Sequence, residues 1–420
     1  MRARAGLRVL RERNFALLYA ARTVSLIGDG MTPVALAFAV LGLTGSTADL
    51  GIVLAARSLM VVTCILAGGV WADRLSPRVA MLLADLGRVA VMGTMGALLL
   101  AGTAQVWQLA GLYALEGLGT ALFNPASSAI VPAIVPTSRL QDANAFLSLS
   151  KSAGQVAGPA FAGLLLALGS PGDALLVDAG TFAVSAAFLL RIVARPVRAH
   201  PTTSFMEDLR EGWAEFSSRT WLWVCVAGAA FSNAIFFPAF QVLGPTVAES
   251  SLGGSGSWAL IAAAFGLGSV VGGAAAITIR VSRILLASEA AVLLLVVPLI
   301  LLAAEAGTLA IAAGALVTGF GLSVASVLYE TAAQQYVPVE AMARVSAYDW
   351  FGSLAIEPLG FALVGALAAG IGISPVLWAG AALLVLIQSA VLAVPSVRNL
   401  RSIDGLEVGP APSPPLAPGD

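Results

Sequence analysis

Four ionisable side chains stand deep inside long apolar runs: Asp29, Glu116, Lys151 and Glu357. Charged residues make up only 11% of the chain. A charge in apolar surroundings is costly unless it meets a partner or a water-filled cavity. Two chemistries are open to such groups. One is proton exchange, in which a deep carboxylate trades its charge for a proton; Asp29 is the first candidate, with Glu116 and Glu357 after it. The other is a fixed ion pair, with Arg22, Arg57 or Lys151 as partner. Covalent chemistry has little to work with. The single histidine, His200, lies in a polar stretch, and the two cysteines, Cys64 and Cys225, lie in apolar runs. Neither metal-ligand spacing nor a Gly-rich phosphate loop occurs. The expectation is therefore no metal, no cofactor, no nucleic-acid partner and no enzymatic activity.

The elements that hold these groups follow from composition. The chain has 420 residues, 59% of them hydrophobic, and a mean hydropathy of +0.92; a soluble domain is about 45–50% apolar. Runs of about 20 apolar residues recur, each long enough to cross a bilayer. They do not alternate as barrel strands do, and backbone groups in lipid must be satisfied within the span. The reading is an all-α integral membrane protein with twelve transmembrane helices. They lie near 14–42, 47–72, 79–101, 106–133, 141–168, 173–194, 220–248, 257–279, 283–303, 308–336, 341–369 and 374–395. Arginines fall before the first span and in every second loop (Arg74 and Arg78, Arg139, Arg195 and Arg198, Arg280 and Arg283, Arg344, Arg398 and Arg401), while the alternate loops have no Lys or Arg. The positive-inside rule then places both termini in the cytoplasm. Arg- and Ala-rich usage with a single Lys points to a bacterial cytoplasmic membrane.

Polar residues recur at helical spacing, so each set shares one face. Span 1 carries Arg22, Ser25, Asp29 and Thr32; span 4 carries Tyr113, Glu116, Thr120 and Asn124; span 5 carries Lys151 and Gln155. Span 7 offers Asn233, Phe237, Phe240 and Gln241; span 10 offers Ser326 and Glu330; span 11 offers Glu357. These residues are candidates to line a central substrate cavity.

The longest polar interval divides the chain into 1–194, a linker at 195–219, 220–397 and a Pro-rich tail at 398–420 that is expected to be disordered. Within the linker, "SFMEDLREGWAEF" reads as an amphipathic helix, opened by a capping box of Ser204 and Glu207. One constant shift overlays Gly117 on Gly319, Gly119 on Gly321, Pro136 on Pro338 and Gly163 on Gly365. A six-plus-six repeat is a common plan for secondary transporters.

The turn after span 2, "AGGVWADRLSPRVAML", resembles the signature loop of the major facilitator superfamily, Gly-x-x-x-Asp-Arg-x-Gly-Arg-Arg. Gly69, Asp73, Arg74 and Arg78 match; Ser76 and Pro77 depart from it. In that family the Asp joins a charge relay that latches the halves, so the resemblance implies a conformational latch here. "GQVAGPAFAG" in span 5 is similar to the family's antiporter motif through Gly154, Gly158, Pro159 and Gly163, with Ala162 in place of one Gly. A third motif, Arg-x-x-x-Gly-x-Gly, keeps Gly117 and Gly119 but has Tyr113 at the Arg position. The overall pattern looks closest to the macrolide-efflux and enterobactin-exporter branch. The resemblance implies two pseudo-symmetric six-helix halves, with spans 9 and 12 as plain outer helices, and a monomer. It also implies export of a lipophilic or amphipathic small molecule against protons. The alternative is an importer or uniporter of a small nutrient.

Overall fold

A computed structural model describes residues 9–74, 76–136, 139–193, 205–276 and 278–402. The side chains of residues 65–74, 141, 205–209, 339, 340 and 343 lie outside that description. The described residues contain helices and no strand.

Twelve helical stretches run back and forth. The first six are α1 (Arg13–Thr44), α2 (Thr47–Arg74), α3 (Pro77–Leu100), α4 (Val106–Ile134), α5 (Leu140–Leu168) and α6 (Pro171–Leu189). A linker helix, Phe205–Ser217, follows. The second six are α7 (Thr220–Leu252), α8 (Ser255–Ala276), α9 (Ile284–Ala303), α10 (Thr308–Tyr336), α11 (Val339–Leu354, resuming at Glu357–Ile371) and α12 (Ile373–Ala393). Ten of these stretches are long and apolar enough to cross a membrane. The other two, α4 and α5, have the length, at 29 residues each, and carry polar stripes.

Local chemistry explains the ends. Gly45 closes α1 in the left-handed region at φ 65°, a conformation that costs glycine little. Ser76 caps α3 by accepting from the Val79 N–H, with Pro77 in the first turn. Ser170 and Asp173 form a capping box at the start of α6.

Three helices depart from the simple spans read from hydropathy. α11 breaks after Leu354 because Pro358 lacks an N–H and its ring would crowd the Leu354 carbonyl four residues back. α7 contains two π turns, Ala239–Leu243 and Ala248–Leu252, either side of Pro245. α9 tightens to a 3₁₀ turn at Leu293–Leu295.

Within the first half α1 packs on α5 and α6, α2 on α4, and α3 on α4 and α6; within the second, α8 packs on α10, α9 on α10 and α12, and α7 on α11 and α12. Two seams join the halves, α5 with α8 and α2 with α11. Both need backbone-to-backbone approach. A Cβ at Gly266 would lie 2.6 Å from the Gln155 carbonyl carbon, and one at Gly365 would lie 2.6 Å from the Ala48 Cα. Thr47 Oγ1 donates to the Gly365 carbonyl at 3.2 Å across the second seam. The Thr47–Gly365 contact lies at the end of the bundle remote from the start of α1, while Gly266 and Gln155 meet near the middle of α8 and α5.

Gly158 meets α1 in the same way: a Cβ there would lie 2.5 Å from the Gly30 Cα, whereas Gly42 faces open space. Overpacking of such a contact costs about 1–3 kcal/mol. Gly158→Val is expected to lower the melting temperature in detergent by several degrees and Gly42→Val to leave it within a degree or so, read by thermal-shift fluorimetry.

Candidate functional site

The first half holds a polar cluster assembled from four helices. α4 supplies Glu116 and Thr120, four residues apart and therefore on one face. Arg57 on α2 donates from Nε to Glu116 Oε2 at 2.5 Å, and Thr120 Oγ1 donates to Glu116 Oε1 at 2.8 Å. Arg88 on α3 donates to Thr120 Oγ1 at 2.7 Å; its Nε lies 3.5 Å from Glu116 Oε1. Arg88 also reaches Asp29 of α1, at 3.9 Å. Aromatic faces complete the shell: Arg57 lies over Tyr113, and Arg88 lies over Phe123 and Phe182.

The two acids differ. Glu116 is 3% exposed and held by two guanidinium groups and a hydroxyl; Asp29 is 32% exposed and has one ion pair at the limit of contact. Glu116 is thus enclosed by its partners, while Asp29 is partly accessible. Two further buried acids stand nearby. Asp178 on α6 accepts from Thr32 Oγ1 at 2.6 Å and Thr181 Oγ1 at 3.1 Å, and Asp85 on α3 accepts from Ser185 Oγ at 2.6 Å.

Arg88, Asp85 and Asp178 were not among the sequence candidates. They sit on α3 and α6, helices for which no polar stripe is read from the sequence. Their signal was a charge inside an apolar run, and for Asp85 and Arg88 a three-residue spacing on one face. The same holds in the second half. Spans 9 and 12 are not plain: Glu289 on α9 and Gln388 on α12 are buried, and Gln388 Nε2 donates to Glu289 Oε2 at 2.9 Å.

Two cavities among the described residues bear on these candidates. The smaller, about 180 Å³, lies at the junction of the halves; Arg57 and Tyr113 line it from one side, Gln241 and Glu357 from the other. Glu357 reaches it because α11 restarts at that residue, and Gln241 because it lies in the first π turn of α7. The larger, about 430 Å³, lies inside the second half, among α7, α9, α10, α11 and α12. Asn233, Ser326 and Glu330 line it.

The remaining candidates are dispersed. Lys151, Gln155 and Asn124 are exposed. Arg22 lies over Phe123, 5.0 Å from the ring. Phe240 is a correction: it is 6% exposed and packs in the core with Phe236, Trp258 and Phe265, so it lines neither cavity. Phe237, partly buried, packs against that core.

Of the latch loop, the surroundings of Gly69 and the side chains of Asp73 and Arg74 lie outside the description. Arg78 donates to the carbonyls of Leu189 and Leu190 at the end of α6, at 2.9 and 2.5 Å. Of the second motif, Gly154 and Gly158 face α1, Gly163 faces Ala259 of α8, and Pro159 lies within α5. Ser204 lies outside the described residues, as does the side chain of Glu207. Further along the linker helix, Trp213 and Phe216 stack on each other and meet Tyr348 at tilted angles, and Arg344 pairs with Glu211 at 3.0 Å.

The sequence model of the Major Facilitator Superfamily matches residues 18–356. The chain is 26% identical over 367 residues to the enterobactin exporter EntS of Escherichia coli O1:K1 / APEC, covering 84% of this chain and 85% of that one. It is also 26% identical over 179 residues to the uncharacterized MFS-type transporter YfiS of Bacillus subtilis (strain 168), a match that spans 42% of each chain. Among solved structures, a mutant of the nucleoside transporter NupG superposes with a TM-score of 0.76 at 12% identity, over 90% of this chain and 99% of that one. A mutant of the peptide transporter POT superposes with a TM-score of 0.75 at 13% identity, over 92% and 95%. These likenesses establish the fold.

Removing one partner of a buried ion pair costs about 3–5 kcal/mol. Glu116→Ala leaves Arg88 buried without its nearer carboxylate, and Asp29→Asn does not. Thermal unfolding in detergent is expected to show a large loss for Glu116→Ala and a small one for Asp29→Asn. The pair Arg57→Gln with Glu116→Gln is expected to lose less than Glu116→Ala alone.

Proposed function

We propose that this chain, which belongs to the major facilitator superfamily, exports a lipophilic or amphipathic small molecule from the bacterial cytoplasm in exchange for protons. The single observation that carries the coupling half of this reading is the contrast between Glu116, fixed by two arginines, and Asp29, partly exposed beside Arg88. One acid sets the charge of the cluster and the other is free to take up and release a proton. Protonating Asp29 removes an attraction on Arg88 while Thr120 and Glu116 still hold it. The change in charge then acts on α1 relative to α3. The likeness to an exporter over 84% of the chain supports the outward direction, as does the Gly154–Gly158–Pro159–Gly163 motif.

Movement follows from the seams. The halves 1–194 and 220–397, joined by 195–219, rock about the small cavity where Arg57 and Glu357 face each other. With both termini cytoplasmic, the Thr47–Gly365 end of the seams is the outer one, which supports reading this arrangement as inward-facing. Separation of α2 from α11 and of α5 from α8 opens the outer end. Arg78, Asp73 and Arg74 would hold the opposite end when it closes.

The test uses inside-out membrane vesicles energised by respiration, with a panel of a macrolide, a lipophilic cation and a catecholate siderophore. Uptake of at least one compound is expected, and an uncoupler is expected to abolish it. Asp29→Asn is expected to retain substrate counterflow while losing gradient-driven uptake by tenfold or more. Full gradient-driven uptake in Asp29→Asn would remove Asp29 from the coupling role, and accumulation in whole cells would reverse the direction.

A further inference from the structure

The larger cavity differs in charge from the first half. Its lining contains three acids, Glu289, Glu330 and Asp349, and no Lys, Arg or His. The cluster in the first half is built around arginines. A cavity of about 430 Å³ falls in the range of small-molecule sites, roughly 300–1,000 Å³. Its floor carries acceptors that lack donors. Gln388, 1% exposed, gives its amide N–H to the backbone carbonyl and side chain of Glu289, at 3.1 and 2.9 Å. Its Oε1 is buried with no hydrogen-bond partner, as is Ser232 Oγ, also 1% exposed. Buried polar atoms are rarely left unpaired in a native protein. Both residues line the cavity beside the buried carboxylate of Glu289. Gln388 Oε1 lacks a donor, the Ser232 hydroxyl can accept from the same group, and three acids with no base in the lining favour a donor that is positive. Asp349, held by Tyr329 Oη at 2.8 Å, adds a second carboxylate, and Trp350, 58% exposed, adds an aromatic face.

We propose that this cavity binds the ammonium group of an amine-bearing amphipathic substrate, with Glu289, Gln388 Oε1 and Ser232 Oγ as its acceptors. An alkylammonium has three N–H donors and no acceptor, which matches three acceptors on α9, α12 and α7. The apolar part of the substrate lies against Trp350, Leu322 and Met342. The inference rests on the transport reading for calling the ligand a substrate, but the binding site stands on the cavity itself.

The full chain in detergent is titrated with monodansylcadaverine, a fluorescent primary amine, and with its N-acetyl derivative, which is neutral. The amine is expected to bind and the acetylated compound to bind at least tenfold more weakly. Glu289→Gln is expected to weaken amine binding at least tenfold and Ser232→Val a few-fold, while Glu249→Gln, far from the cavity, leaves it unchanged. Melting curves report whether each variant is folded; if Glu289→Gln is not, Asp349→Asn and Ser232→Val carry the comparison. Equal binding of both compounds, or amine binding indifferent to these variants, overturns the proposal. Displacement of the amine by millimolar sodium chloride but not by choline chloride also overturns it, because the site then belongs to an inorganic cation. Export of a non-amine by a protein that does not bind the amine sinks this inference and leaves the export reading standing. Amine binding without proton-driven export does the reverse.

Discussion

One negative charge, on Glu116, meets two guanidinium groups from different helices, and the first half is organised around that convergence. Neither arginine could be buried in lipid without a counter-ion, and the same carboxylate serves both. The pairing fixes the relative positions of α2, α3 and α4. It also leaves Asp29 at the edge, joined to the cluster through Arg88 alone. A fully satisfied network would be a rigid post. Here Glu116 is held at the centre, Arg88 Nε is buried with an ion pair but no hydrogen bond of its own, and the rim is open, which suits a helix set that must stay together while one group changes charge.

The seams between the halves obey a different physics. Lipid offers no hydrophobic drive for helices to associate, so close backbone approach is the main attraction available. Gly266 against Gln155 and Gly365 against Ala48 supply it without interlocking side chains. Such surfaces hold by fit and separate without breaking ion pairs. Strong bonds lie inside each half and weak ones between the halves, the order a rocking machine requires.

The fold was legible in the sequence because apolar runs in lipid admit few alternatives to a helix and arginine placement counts the crossings. Helix bounds agree within a few residues except where one proline intervenes: Pro358 splits α11, an effect visible in sequence but hidden by hydropathy averaging. The site was only partly legible. Glu116 and Thr120 share a polar face of α4, Asp29 stands on the polar face of α1, and Arg88 joins the two. Asp178 and Glu289 escaped because each is a lone charge in an apolar span, and Asp85 and Arg88 because two charges three residues apart make no long polar stripe. Periodicity along one helix says nothing about partners supplied by another. Phe240 shows the converse error, since an aromatic next to polar residues looked like cavity lining and belongs to the core.

The two π turns of α7 carry a consequence for how this chain can change. Each holds one residue more than an α turn needs, at Ala239–Leu243 and Ala248–Leu252. Loss of one residue within either turn returns it to α geometry and leaves the rest of the helix in register. A deletion elsewhere in α7 rotates everything beyond it by about 100°, turning Trp258-facing residues such as Phe240 and Gly244 away from α8. The far half of α7 is thus buffered against single-residue deletions at two places, and natural length variation in this helix should concentrate there.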